Sequence, residues 1–341
     1  MKSNPLLRSF RWAPSIGFAP FLLVALLVYP HLAPDFWVVS IGAHAMVLGI
    51  IALSLTFLAA YGGMISMAQM SVAGVAGYAL AISSAHAANE GVAALPWPWA
   101  VALALFAGTV AGLLIGLIAV RSQGIYMLMS TLAIAMILFY LGQQNTTVLH
   151  GFDGFRGVVI PTIGGISLRQ PTLFYYLCLA AGVALYSLVV YLVRTPFGLA
   201  IQGIRDDPQR MTSLGFRVTA HQVAAFGVAG FIAAVGGVLS LWYHGGISPG
   251  SVGMTATVGV LIIAVIGGLG HPRGAFIGAV VFVLIQNFAV DLVGSDRFNS
   301  LIGFVFLVIV MVSPDGLLGL WRALRGAGGK AAQGNLVRQK L

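Results

Sequence analysis

Eight carboxylates, seven histidines and one cysteine are the groups here that could serve as general acid, base, nucleophile or metal ligand. None sits in a pattern that does such chemistry. His44, His86, His150, His221, His244 and His271 lack the paired spacing of metal ligands, and His31 stands alone. Ser66 has no ordered His/Asp partners that would make it a nucleophile. No Gly-x-x-x-x-Gly-Lys-(Ser/Thr) phosphate loop occurs anywhere, so the chain does not bind ATP in that manner. Cys178 lies in an apolar run and has no second cysteine to pair with. No catalytic residues and no metal ligands are therefore expected, and the chain is not expected to be an enzyme.

Polar groups that could do other work fall in two sets. Ser66, Gln69, Ser71, Gln286 and Asn287, with Thr131 as a weaker member, lie inside apolar runs, where polar side chains default to a translocation pathway. For any one of them, hydrogen bonding between helices is the competing role. The second set is an island, residues 194–217, holding Arg194, Arg205, Asp206, Asp207, Arg210 and Arg217 between long apolar stretches. Pro196 and Gly198 are expected to break the preceding helix. Asp207 then reads as an N-cap, Pro208 as the first helical residue and Gly215 as a left-handed stop. The two turns between them, "PQRMTSL", are marginal alone in water and need something to lean on. Met211 and Leu214 share one face that could meet the membrane or a partner, with Gln209, Arg210 and Thr212 elsewhere.

The elements that must position these residues are set by composition. The chain is 59% hydrophobic and 7% charged, against about 25% charged in a soluble domain, so lipid is its solvent. It reads as an all-α integral membrane protein. Spanning takes about 20 apolar residues as helix, and ten spans are expected: 15–31, 36–60, 64–86, 98–120, 124–142, 171–193, 218–244, 252–268, 274–294 and 298–313. The first is expected to remain as a span rather than be cleaved as a signal. With both termini in the cytoplasm, only Arg156, Arg169 and Arg297 of seventeen basic residues fall outside, as the positive-inside rule asks. Residues 1–321 then form one transmembrane domain, followed by a basic, glycine-rich tail over 322–341. The net charge of +9 is scattered over loops and tail rather than gathered on one face, which argues for membrane lipid and against nucleic acid as partner. Gly108, Gly112 and Gly116, at i+4 spacing, read as close helix packing rather than a binding site.

Four stretches, in order, resemble one family. "FGLAIQGIRDDPQRMTSLGFRV" is similar to the cytoplasmic coupling loop of permease subunits of branched-chain amino acid ABC importers, with Phe197, Gly198, Ala200, Ile204, Arg205, Asp206, Asp207, Leu214 and Gly215 matching. "HGFDGF" (150–155) resembles the family's external glycine turn. "VIGGLGHPRGAFIGA" (265–279) resembles its glycine-spaced stretch, and "SPDGL" (313–317) its C-terminal Pro-x-Gly-Leu. Together they cover about 36 to 320. Three positions depart from the pattern: Met64 where glutamine is usual, Ala68 for glycine and Gly203 for alanine.

The resemblance implies a bacterial inner-membrane, multi-pass subunit. Its implied partners are a second homologous permease, two cytoplasmic ATP-binding subunits and a periplasmic substrate-binding protein. No cofactor is implied on this chain; ATP and magnesium belong to the partner ATPases. Coupling to them falls on Arg205, Asp206, Asp207, Pro208, Met211, Leu214 and Gly215. Relatives carry branched-chain amino acids, urea, short amides or other small carboxylates, so the substrate stays open. A self-sufficient secondary transporter is the alternative, but ion coupling usually leaves intramembrane acids and only Asp291 is a candidate. A channel is disfavoured, since no ring of charge or selectivity sequence is visible.

Overall fold

The computed structural model describes residues 18–84 and 95–293, apart from 159, 164, 165, 168 and 169, and single positions between 303 and 319. Among them are eleven α-helices and four two-residue strands. Six helical stretches are long and apolar enough to cross a membrane: Trp37–Gly62, Trp97–Ala119, Ile125–Gln144, Pro171–Arg194, Val218–His244 and Pro249–Gly267. Shorter apolar helices run over Gln69–Ser83 and Pro272–Phe288. The expected span 298–313 and the tail 322–341 lie outside the described residues or nearly so.

α1 (Phe18–Leu32) is held to α6 (Pro171–Arg194) by tyrosines: Tyr175 and Tyr176 donate to the carbonyls of Leu26 and Leu27 at 3.1 and 2.8 Å. α2 (His44–Phe57) is flanked by π-helical stretches, Trp37–Ala43 and Leu58–Gly62. It and α9 (Val218–His244) form the centre: windows of both are 67% buried within the chain, against 22% for α5 (Ile125–Gln144). Leu103, Phe106 and Leu114 of α4 (Trp97–Ala119), Met129 and Ile137 of α5, and Tyr191 of α6 face outward, an apolar exterior that suits lipid.

Glycine sets how closely the centre packs. A β-carbon at Gly112 would lie 2.8 Å from the Cα of Gly230, and one at Gly116 would lie 2.6 Å from Phe226 Cβ. The Gly108–Gly112–Gly116 stripe is thus the α4–α9 contact that its spacing predicts. α11 (Pro272–Val293) meets α10 (Met254–Gly267) in the same way, Gly274 against the backbone of Gly267 and Gly268. Gly316 of "SPDGL" rests on that same turn: a β-carbon there would come within 2.5 Å of the Gly268 nitrogen. Two stretches far apart in sequence meet there. At the opposite end, β1 (Phe155–Arg156) pairs antiparallel with β4 (Gly246–Ile247), pinning the 145–158 loop to the end of α9. β2 (Thr162–Ile163) and β3 (Ile166–Ser167) form a small hairpin.

One sequence expectation needs correction. The span expected as a continuous helix over 64–86 is broken: Gly63 turns left-handed (φ 64°), residues 63–66 are not helical, and α3 starts at Gln69 (Gln69–Ser83). A run that is apolar on every face gives no periodicity to mark such a break. The expected helix 252–268 is present as α10, Met254–Gly267, entered through a 3₁₀ turn over Pro249–Val252. As expected at Pro196 and Gly198, the preceding helix breaks, α6 ending at Arg194, but the helical path continues beyond the break. It bends at Thr195 and resumes as α7 (Pro196–Asp206), with Pro196 in the first turn and the Thr195 hydroxyl accepting from Gly198 N at 3.4 Å. Gln202 Nε2 donates to Val193 and Gly198 carbonyls, both at 3.1 Å, so one α6 carbonyl freed by the bend is satisfied.

Candidate functional site: a capped surface helix over a broken span

The island folds as two helices of opposite character. α7 buries Ala200, Ile201 and Ile204 against the end of the Trp37–Gly62 stretch and against α9. α8 (Pro208–Ser213) buries none of its residues. Asp207 Oδ1 accepts from Arg210 N at 2.9 Å, Pro208 opens the helix, and Gly215 closes it at φ 88° with open space where a β-carbon would sit. The cap, opening and stop are the ones local sequence dictates, because each acts within three residues.

Side-chain directions are another matter. Met211 and Leu214 do not form one outward face. Met211 leans back onto α7: a β-carbon at Gly203 would lie 2.8 Å from its sulfur. Glycine at 203, unusual for the pattern, makes room for that methionine. Leu214 remains 65% exposed. Arg205 also points inward. Its Nη1 donates to the Ala60 carbonyl at 2.5 Å, while Nε and Nη2 donate to Asp206 Oδ1 at 3.0 and 2.8 Å. A cation at the C-terminal end of a helix meets the negative end of its dipole and an acceptor without an intrahelical partner. The exposed surface of the island runs from Arg205 to Arg217, interrupted only by Met211, and on α8 it is Pro208, Gln209, Arg210, Thr212 and Ser213.

Beneath it lies the break at 63–68, where three of the polar residues picked from sequence gather. Ser66, Gln69 and Ser71 are 0%, 2% and 3% exposed. Ala68 N donates to Ser66 Oγ at 3.3 Å, and Gln69 Oε1 accepts from Ser54 Oγ at 3.1 Å. Met67 N donates across to Thr131 Oγ1 on α5 at 3.1 Å. In an apolar solvent every backbone group must find a partner inside the protein, and these side chains supply them where the helix stops. Ser71 Oγ is buried with no hydrogen-bond partner among the described residues, as are Tyr78 Oη and Thr257 Oγ1. Gln286 and Asn287 belong elsewhere, on α11: Gln286 Oε1 is buried without a protein partner, and Asn287 Nδ2 donates to the Val283 carbonyl at 2.9 Å. Ser54, Tyr78 and Thr257 escaped sequence reasoning; a hydroxyl inside an apolar helix carries no local signal of what it faces.

The Thr131 bond gives a direct expectation. Thr131→Val keeps the shape and leaves Met67 N unpaired, which costs about 1–3 kcal/mol. Thermal unfolding in detergent measures it. Ser130→Ala, whose hydroxyl bonds only the Met127 carbonyl of its own helix, should change stability by less than about 0.5 kcal/mol.

The histidines serve packing. His44 stacks on Tyr243 (centroids 4.7 Å apart, planes 12°) with His244 edge-on at 6.0 Å, and His221 lies between Phe197 and Phe216. His86 lies outside the described residues. Among the described residues no three His, Cys, Asp or Glu side chains come close enough to share a metal ion.

The sequence that folds into this bundle and its small capped helix matches a known family. The family described as "branched-chain amino acid transport system / permease component" matches residues 38–312, from the first π stretch through α11 and beyond. The chain belongs to this permease family. Its relatives include the high-affinity branched-chain amino acid transport system permease protein LivM of Salmonella typhimurium. That protein is 24% identical over 328 residues, 89% of this chain and 75% of LivM. BraD of Pseudomonas aeruginosa, a permease protein of the same kind of system, is 27% identical over 172 residues, half of this chain and 52% of BraD. The ribose import permease protein RbsC of Haemophilus influenzae is 23% identical over 310 residues, 87% of this chain and 92% of RbsC. No solved structure matches. The permease match spans both features of the site, the α7–α8 island and the break before α3, and the family is one of transport proteins rather than enzymes.

Proposed function

We propose that this permease is a membrane subunit of an ATP-driven importer that moves branched-chain or related small amino acids inward. In this reading it spans the bacterial inner membrane ten times with both termini in the cytoplasm, one domain to residue 321 and a basic tail beyond. It works beside a second homologous permease, two cytoplasmic ATP-binding subunits and a periplasmic substrate-binding protein. It binds no cofactor itself; ATP and magnesium are consumed by the partners. The observation that carries the reading is α8: a short helix, capped at both ends, exposed except at Met211, and seated by Met211 on a second helix that is anchored in the bundle. A two-turn helix in water is worth such capping only if something docks on it. The names of LivM and BraD favour branched-chain amino acids as cargo, and RbsC keeps a neutral polar solute open.

Proteoliposomes decide the matter. The permeases reconstituted with their ATP-binding subunits and binding protein should take up leucine or a similar amino acid only when ATP is inside. Uptake by this chain alone, driven by an ion gradient, would overturn the importer in favour of a self-sufficient carrier.

A further inference from the structure

Arg205 stands where a surface contact to a partner would be expected, yet its guanidinium, on a side chain 34% exposed, is spent on partners within the chain. One nitrogen holds the Ala60 carbonyl, near the end of the π-helical stretch Leu58–Gly62. The other two are clamped by the neighbouring Asp206. The aliphatic stem lies on Gly63: a β-carbon there would come within 2.6 Å of Arg205 Cγ, and Gly63 is the left-handed residue that starts the break. Ile201, one turn back on α7, is 2% exposed and lies 3.8 Å from where a Gly62 β-carbon would be.

We propose that Arg205 is a positioning residue, the strut that ties the docked helix to the broken span. Displacement of α8 passes through Met211 to Gly203, along α7 as a rigid body, and through Arg205 to Ala60 and Gly63. From there the non-helical 63–66 segment carries Ser66, the Met67–Thr131 bond and Gln69 with it. The links are packed side chains and hydrogen bonds, which hold discrete arrangements rather than stretch. π-helical turns such as Leu58–Gly62 are rare in helices and occur frequently at functional sites. The proposal rests on the importer reading for its consequence, though the strut itself is a property of this chain.

Two measurements separate them. In nanodiscs holding this chain alone, hydrogen exchange over residues 60–68 should rise about ten-fold in Arg205→Gln, as expected on losing a charge-assisted bond to a backbone acceptor. Arg205→Lys, which keeps one donor, should fall between, and the α4–α9 contact should not change. In the assembled importer Gly63→Ala, remote from the exposed face of α8, should keep the ATP-binding subunits yet lose about ten-fold in uptake per ATP. Arg205→Gln should lose at least as much, with Arg205→Lys partly restored. If Arg205→Gln instead sheds the ATP-binding subunits while exchange at 60–68 stays as in the wild type, Arg205 is an outward contact and the strut is wrong. If exchange rises but the wild-type chain never retains ATP-binding subunits, the strut stands and the importer falls.

Discussion

Gly112→Val should destabilise the permease by about 3 kcal/mol, the upper part of the range for inserting atoms into a packed interior. The reason is geometric. A β-carbon at 112 would lie 2.8 Å from both the Gly230 Cα and the Phe226 carbonyl oxygen. Both are backbone, so no side chain can turn aside, and α4 must move away from α9. In lipid that contact has no hydrophobic drive behind it. Helices associate there through close packing, and a lost fit is not recovered by burial from water. Even Gly112→Ala should cost something, because the first added carbon already meets backbone. Gly270→Ala, with nothing within 4 Å of its position, should stay within about 0.5 kcal/mol of the parent. Thermal unfolding in detergent, followed by loss of the monodisperse peak, reads all three. A Gly112→Val chain as stable as the parent would show that α4 and α9 are not held at this distance.

Arg210→Glu combined with Leu214→Asp should leave insertion and thermal stability unchanged and weaken attachment of the ATP-binding subunits by about 2 kcal/mol, a factor of about 30. Both side chains are exposed and neither supports the fold: Leu214 is 65% exposed, and Arg210 contributes its backbone N–H, not its side chain, to the Asp207 cap. The pair reverses the charge and removes the apolar knob of α8 while leaving Met211 on Gly203. Co-purification of the subunits and ATP-driven uptake in proteoliposomes check it. Retention of both at parental levels would mean that partners grip the chain somewhere other than α8.

Much of the architecture could be read from the chain because the solvent is uniform. A residue that must face lipid or a neighbouring helix is apolar in either case, so long apolar runs locate helices well: α4, α6 and α9 fall within two residues of expectation at both ends. The same uniformity hides what happens inside a run. Met64, Ile65 and Met67 look as helical as Val72 or Ala76, and nothing local reveals that 63–66 is not helical. The caps at Asp207, Pro208 and Gly215 were legible because a cap closes on its own neighbours. The direction of Arg205 was not, because its acceptor, Ala60, lies 145 residues away along the chain.

By itself, then, the sequence determined that the chain lives in lipid, where most of its helices run, that Gly108, Gly112 and Gly116 pack closely, and that 208–214 is a capped turn of helix. These follow from composition and from interactions within a few residues. Only the tertiary structure decided that α3 starts late, that Ser66, Gln69 and Thr131 surround the gap, that Met211 fills the space above Gly203, and that Arg205 reaches inward. Each of those is a backbone or polar group finding its partner across the bundle, a search that in a medium without water has to end inside the protein.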